Sequence, residues 1–264
     1  MKVSVDPYID RKSGILKNKA GIKDKEELDK LEADYTSISL KQLTLNPVKG
    51  NFNFDHLCKI HSCIFEKIYE WAGSPRIIDI EKEEDVLGGL SIQYSEHGHI
   101  KEDAEKVIQK MHSIEWDKLN LDERVVEFST CLSDLWKVHP FREGNTRTAV
   151  TFCCDFAESK GFGLDRNLFK DNGKFMRNAL VASAAKFSDI GDYSKPEYLH
   201  RIVKDGMEKW ETEKRKEKSG MNNEKHETMS MSSWRNAVEK TNNSVRIASA
   251  EKQLDNSMDI GERE

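Results

Sequence analysis

The sequence predicts a mainly helical fold with one small β-hairpin, and two patterns support that prediction. Apolar residues recur at three- and four-residue steps through most of the 264-residue chain, which is the spacing of one buried helix face. Short β-branched runs flank a glycine pair in one region only, residues 75–100. The length is sufficient for one medium domain or two small ones.

Two helices are predicted before the glycine pair. The first spans residues 24–43, where Asp24 is suited to cap the helix and acidic residues follow in the first turn. Pro47 and Gly50 interrupt the chain. A strongly amphipathic helix over residues 55–71 is predicted to follow.

The remaining chain is predicted to contain a hairpin, five helices and a polar tail. The hairpin covers residues 76–94, with the turn at the glycine pair. The helices are predicted over residues 102–112, 122–138, 148–157, 168–186 and 196–209. Residues 210–264 are rich in Ser, Asn and charged side chains with little to bury, so this tail is predicted to be disordered, with a short helix around residues 234–240.

Composition excludes several classes of protein. Acidic residues outnumber basic ones by 47 to 42, and the net charge of −5 argues against nucleic acid or an anionic membrane as partner. No apolar run is long enough to span a bilayer. The five cysteines contain no C-x-x-C pair and are expected to be reduced and buried. Without a secretory leader in the sequence, a cytoplasmic location is expected, although specialised secretion of an effector stays open.

One loop between two predicted helices carries a set of residues suited to phosphate chemistry. Its sequence is His139-Pro140-Phe141-Arg142-Glu143-Gly144-Asn145-Thr146-Arg147. A glycine turn at a helix start directs backbone N–H groups at an anion, which predicts a phosphate nest at Gly144. Glu143 can hold Mg²⁺, Asn145 can donate to a phosphate oxygen, and Arg147 supplies a fixed cation.

The histidine of this loop supplies a base. With an ordinary pKa of about 6.5, His139 can accept a proton from a nucleophile. Each residue alone also fits an ordinary structural role, such as a solvated ion pair or a common turn. Their combination in one loop predicts metal-assisted transfer of a phosphate ester.

The loop resembles the signature H-x-F-x-[D/E]-G-N-G-R-x-x-R of the Fic (Fido) family. Two flanking segments, residues 16–32 and 56–76, are similar to the family's N-terminal segment and to the helix that leads into its flap. The resemblance implies a compact helical fold with a β-hairpin flap over the loop. It also implies an N-terminal helical extension over residues 1–50 and a catalytic domain over residues 51–209.

The resemblance further implies transfer of AMP from ATP to a Tyr, Thr or Ser hydroxyl of a target protein. His139 would be the general base, and Glu143 would hold Mg²⁺. Gly144, Asn145 and Arg147 would bind the nucleotide phosphates. Phe141 is expected to be an apolar peg beneath the loop.

Two positions depart from the family pattern, and both bear on the nucleotide. Thr146 replaces the usual glycine, although its hydroxyl could donate to a phosphate, and Val150 replaces the usual second arginine. Two other functions therefore stay open. One is a relative that transfers a different phosphate-containing group, and the other is a catalytically weak module that binds a protein.

The flap and the regulation are also inferred from the resemblance. The flap would bind the target backbone by strand addition, and its docking residues would be Ile77, Ile78, Asp79 and Ile80. A hairpin with a structural role only is the alternative. Many relatives carry an inhibitory helix with the motif [S/T]-x-x-x-E-[G/N]. In this sequence only Ser62 and Glu66 have the spacing of its first two positions. Lys67 stands where the motif has Gly or Asn, and all three residues lie in a predicted core helix. The sequence therefore predicts no inhibition in cis and a small antitoxin-like partner as regulator.

Overall fold

The computed structural model of the chain describes residues 6–219 and confirms the mainly helical prediction. Within this range the helices are α1 (Lys25–Leu45), α2 (Phe54–Phe65), α3 (Ile100–Ser113), α4 (Leu121–Val138), α5 (Asn145–Ser159), α6 (Arg166–Asp171), α7 (Gly173–Ser183) and α8 (Glu197–Ser219). Strands β1 (Lys186–Phe187) and β2 (Gly191–Asp192) pair in antiparallel fashion. None of these helices is long and apolar enough to cross a membrane.

The described chain divides into two compact units. Unit one contains residues 6–80, 95–115 and 138–161, and therefore α1, α2, α3 and α5. Unit two contains residues 81–94, 116–137 and 162–219, and therefore α6, α7, α8, the small sheet and α4 up to its last residue. The loop singled out from the sequence lies in unit one.

Helix α2 is the centre of unit one, since it packs against α1, α3 and α5. The side chain of Asn53 caps α2 by accepting from the N–H of His56. Helix α2 ends at Phe65, so the predicted helix over residues 55–71 is too long. Tight turns follow instead, and they place Gly73 at φ +83°, where a Cβ would lie 2.9 Å from the Cβ of Ser62.

The other helices of unit one follow the sequence patterns. Asp24 caps α1 by accepting from the N–H of Glu27, as predicted. Helix α5 begins at Asn145, earlier than predicted, and buries Phe152 and Phe156.

Of the cysteines, Cys131, Cys153 and Cys154 are buried as predicted, whereas Cys58 is half-buried and Cys63 is exposed.

In unit two, α8 packs against α6 and α7. The predicted helix over residues 168–186 is two helices, because Asn172 and Gly173 form a break in which the Asn172 side chain donates to the C=O of Leu168. Helix α8 continues past residue 209 to Ser219, the last described residue, so the first part of the predicted tail is helical. The rest of that tail, with its predicted short helix, lies outside the described residues.

The two-stranded sheet is not where the hairpin was predicted. The chain reverses direction between residues 82 and 91, where the N–H of Glu84 donates to the C=O of Leu90. Residues 76–94 nevertheless contain a 3₁₀ turn and no strand. Side chains take the place of ladder partners: Ser91 Oγ accepts from the N–H of Lys82. The buried carboxylate of Glu84 accepts from both terminal nitrogens of Arg177, which fixes the turn.

A glycine in unit two gives a stability prediction. A Cβ at Gly163 would lie 2.5 Å from ring atoms of Trp210, whereas a Cβ at Gly173 would have nothing within 4 Å. We expect Gly163→Ala to lower the free energy of unfolding by about 1–3 kcal/mol. Gly173→Ala, the matched control, should be neutral or slightly stabilising, because alanine favours the helix. Thermal unfolding of both variants tests this, and equal midpoints would contradict the packing argument.

Candidate active site

A buried arginine fixes the backbone at the start of the loop. Arg76, 2% exposed, donates from Nε to the C=O of His139 at 2.9 Å and from its backbone N–H to the C=O of Pro140 at 2.8 Å. Its guanidinium also donates to the carbonyls of Ile78 and Ser95. His139 is buried and has φ +51°, a conformation that costs about 1–3 kcal/mol and persists only where its surroundings hold it. Arg76 supplies that restraint.

Asn145 closes the loop on itself. Its side-chain oxygen accepts from the N–H of Phe141 at 2.8 Å, and its side-chain nitrogen donates to the C=O of Phe141 at 2.7 Å. The side chain predicted to bind a phosphate is thus engaged with the loop backbone in this structure. Phe141 is fully buried, which confirms the expected apolar peg.

His61 of α2 packs against the loop and holds it in place. The sequence analysis did not predict this role for His61. The ring stacks on Phe141 with centroids 3.8 Å apart. Its Nδ1 accepts from the N–H of Gly73 at 2.8 Å, so the proton lies on Nε2, which donates to the C=O of Glu143 at 3.0 Å. Burial, opposed by the bond to Glu143, lowers the pKa of His61 to about 3. The ring is therefore a neutral link between α2, the turn at Gly73 and the loop.

Only glycine fits at the start of α5. Gly144 has φ +84°, and a Cβ there would lie 2.2 Å from the ring of Phe65. The N–H of Gly144 donates to Glu143 Oε1 at 2.9 Å. The predicted phosphate nest therefore has the required turn, and Phe65 forms its base.

Arg147 is held over Phe65 by an acidic residue of α1. The guanidinium carbon lies 4.7 Å from the Phe65 ring centroid. One terminal nitrogen donates to Glu32 Oε1 at 2.6 Å and lies 3.9 Å from Glu143 Oε1, while the other donates to Thr36 Oγ1 at 3.3 Å. The structure thus places Arg147 at ion-pair distance from Glu143 and closer still to Glu32.

Glu32 has a second donor. Its Oε2 accepts from the hydroxyl of the buried Tyr69. Burial, followed by the charge of Glu32, raises the pKa of Tyr69 well above its usual range, so the hydroxyl keeps its proton and donates. Both oxygens of Glu32 are therefore engaged.

The loop could hold a divalent ion only together with a ligand. Among residues 6–219, no group of three or more His, Cys, Asp or Glu could bind a metal by itself. Glu143 offers a carboxylate whose side chain is 32% exposed. Mg²⁺ is commonly bound by one or two carboxylates with phosphate oxygens, so this donor set fits the ion as part of a metal–phosphate complex.

The remaining predicted residues lie around this centre. Ile77 is 66% exposed and Asp79 is also exposed, whereas Ile78 and Ile80 are half-buried, and the chain bends at residues 77 and 78. Thr146 is half-buried on α5 directly after Asn145, and its contact with the nucleotide stays a prediction.

Residues 6–8 contact both the loop (residues 139–147) and the flap segment (residues 77–80). The hydroxyl of Tyr8 accepts from the N–H of Ile77 at 3.2 Å. Arg142 donates from Nε to Asp6 at 2.9 Å. Because one short stretch of chain holds both, the positions of flap and loop in unit one depend on each other.

The fold and the site define a helical protein with a glycine turn at a helix start, of the kind that favours an anion, in one loop with a buried histidine and an arginine. The family model described as the Fic/DOC family matches residues 51–157. The chain is 30% identical over 182 residues to the probable protein adenylyltransferase y4lH of Sinorhizobium fredii. The matched region covers 67% of this chain and 88% of y4lH. The chain therefore belongs to the Fic/DOC family.

Two further comparisons extend this finding. Protein adenylyltransferase VbhT of Bartonella schoenbuchensis is 31% identical over 166 residues, or 61% of this chain, but the chain spans only 33% of VbhT. The N-terminal Fic domain of a putative cell filamentation protein from Bartonella quintana, solved with bound ADP, has a TM-score of 0.62 at 24% identity. This match covers 75% of this chain and 92% of that structure, and it shows the shared fold.

Because His61 is buried in its neutral form, we expect the stability of the folded chain to decrease in acid. Its pKa is about 3 in the folded chain against an ordinary value of 6.5, so below pH 6.5 the unfolded chain binds a proton that the folded chain does not. Stability should be complete above that pH and fall by at most about 1.4 kcal/mol per pH unit toward pH 3. Burial also lowers the pKa of His56 and of His200, in the same direction.

A variant isolates the contribution of His61. His61→Gln should lower the free energy of unfolding at pH 7 by about 1–3 kcal/mol, because a buried partner loses its bond. It should also lose less stability than the wild type between pH 7 and pH 4.5. Urea unfolding at both pH values measures this, and equal acid losses in the two proteins would contradict the assignment.

Proposed function

We propose that this chain is a protein adenylyltransferase that transfers AMP from ATP to a hydroxyl side chain of a target protein and releases pyrophosphate. The observation that carries the proposal is the set of four groups fixed around one turn: His139, Glu143, Gly144 and Arg147. Relatives named as protein adenylyltransferases, y4lH and VbhT, support the activity. The ADP bound to the Bartonella quintana structure supports a nucleotide ligand.

His139 would act as the general base. Its backbone is held by Arg76, so the point from which the imidazole projects is set before substrate arrives. A base at a fixed position needs only to accept the proton of the attacking hydroxyl as the bond to the α-phosphorus forms. A Tyr, Thr or Ser of the target would supply that hydroxyl.

The turn at Gly144 and Arg147 would bind the phosphates. Backbone N–H groups at the start of α5 and the positive end of its dipole favour an anion there. Glu143 would hold Mg²⁺ together with the phosphate oxygens, and the ion would offset their negative charge. Asn145 would contribute by keeping the loop closed through its two bonds to Phe141.

The flap segment would position the target. Ile77 and Asp79 are exposed on a segment whose start is held by Arg76 and Tyr8. An extended target segment could pair with this stretch through main-chain hydrogen bonds, a mode that makes few demands on target sequence. This mode does not require the segment to be a hairpin when free.

A separate small antitoxin-like protein is our proposal for the regulator. The one approximate inhibitory motif places Glu66 at the end of α2, where its side chain is exposed. The carboxylate nearest to the guanidinium of Arg147 is instead that of Glu32, which lacks the motif's Ser or Thr four residues earlier, since Leu28 stands there. Regulation by a partner is therefore favoured over this motif acting in cis.

The histidine gives the direct test of the transfer reaction. His139→Ala should lower self-labelling by about 100-fold or more while ADP binding is retained, because it removes the base and not the phosphate site. His99→Ala, a surface histidine beside Glu96, is the matched control and should label at the wild-type rate. Labelling by His139→Ala at the wild-type rate would contradict the assignment of the base.

The position of the label separates the alternatives. ATP labelled at the α-phosphate should modify protein, and ATP labelled at the γ-phosphate should not, because pyrophosphate leaves. Labelling from the γ-phosphate alone would indicate transfer of a phosphoryl group. Binding of ADP with no labelling from either would indicate the catalytically weak binding module, an outcome to which Val150 in place of the second arginine lends some weight.

A further inference from the structure

We propose that an exposed apolar stripe on α1 pairs with the same stripe of a second copy of this chain, with the two helices antiparallel. The proposal does not depend on the proposed function, because it rests on the surface and the charges of α1 alone. It assigns a partner to a helix that packs against α2 along a different line of residues.

Helix α1 carries two lines of residues with helical spacing. The first line is buried and consists of Leu28, Thr36, Ser39 and Leu43. The second line runs along the surface in steps of four, three, four and three residues, and it consists of Leu31, Tyr35, Ile38, Gln42 and Leu45. Such steps return to one side of a helix, so the second line is a continuous stripe, here called the α1 stripe.

The α1 stripe is open to solvent along most of its length. Tyr35 is 42% exposed, Ile38 is 55% exposed and Leu45 is 79% exposed. Within residues 6–219, these are three of the five large hydrophobic side chains that are exposed. Single apolar residues scattered over a surface are ordinary, whereas a line of them on one helix is typical of an interaction site. The alternating steps of four and three residues are those of a seam between two helices.

The charges of α1 favour a second copy of the same helix in the reverse direction. Residues 25–35 contain five acidic residues and two lysines, whereas residues 36–45 contain one lysine and no acidic residue. Two parallel copies would place the acidic halves side by side. Two antiparallel copies place each acidic half opposite the half that carries Lys41, and they also oppose the helix dipoles favourably.

A twofold axis at Ile38 gives the register of the pair. Each contact then occurs twice, as in other symmetric dimers, and Leu31 of one copy faces Leu45 of the other. Asp34 and Lys41 are both exposed and lie seven residues apart along the same edge of the α1 stripe. In this register, Asp34 of each copy faces Lys41 of the other.

The length of the α1 stripe limits the strength of the dimer. At 1.5 Å per residue, the stripe from Leu31 to Leu45 is about 21 Å long. A contact between two single helices of this length is smaller than a standard interface of about 800 Å² per partner. The dimer is therefore expected to be weak and to form only as the protein concentration rises.

Sedimentation velocity of the full chain at increasing concentrations tests the pairing. The wild-type mass should rise from that of one chain toward that of two. Ile38→Lys places two ammonium groups at the axis and should raise the dissociation constant at least about tenfold. Val126→Lys makes a comparable change at a side chain of α4 that is 45% exposed, and it should dimerise as the wild type does. Circular dichroism shows whether each variant is folded.

Charge reversal tests the antiparallel register. Asp34→Lys and Lys41→Asp should each weaken the dimer, because like charges then face each other. Mixing these two variants should restore dimerisation, because every lysine at these positions then faces an aspartate. A mixture that dimerises no better than either variant alone would overturn the register.

Two other results would overturn the proposal as a whole. One is a wild type that stays monomeric at the highest concentration, which would leave the α1 stripe to a different partner. The other is an Ile38→Lys variant that dimerises as strongly as the wild type, which would place the dimer contact elsewhere. Neither result would bear on the transfer reaction, because the measurement is the mass of the particle and not labelling.

Discussion

The loop that carries the candidate chemistry depends on one neutral imidazole. His61 donates to the C=O of Glu143, accepts from the N–H of Gly73, and stacks on Phe141. A protonated ring could not accept from Gly73, so the arrangement requires the neutral form that burial enforces. Because α2 is packed by α1, α3 and α5, the position of His61 transmits the packing of unit one to the loop.

The sequence predicted those features that are determined locally. The cap at Asp24, the glycine turn at Gly144 and the burial of Phe141 each follow from a few neighbouring residues, and the structure confirms all three. Helix ends were less accurate. Nothing in the apolar spacing of residues 55–71 indicates that Gly73 must fold back against Ser62, which ends α2 early.

The residues that support the site could not be predicted in the same way, because their partners are distant in sequence. Arg76 contacts His139, Glu32 contacts Arg147, and His61 contacts Glu143, and in each case tertiary packing creates the contact. The hairpin failed for a related reason. Glu84 would be an ordinary charged strand residue, but Arg177 from a later helix binds it and fixes a turn instead.

These distant contacts also explain why a loop with four charged or titratable side chains can keep them distinct in role. Arg76 fixes the backbone of His139, whereas Glu32 and Phe65 fix the guanidinium of Arg147. If the loop were isolated, Arg147 would be expected to pair with Glu143, its neighbour one turn away. In the folded chain the shortest contact of the Arg147 guanidinium is with Glu32 of α1 rather than with Glu143, and this contact depends on the fold and not on the signature loop alone.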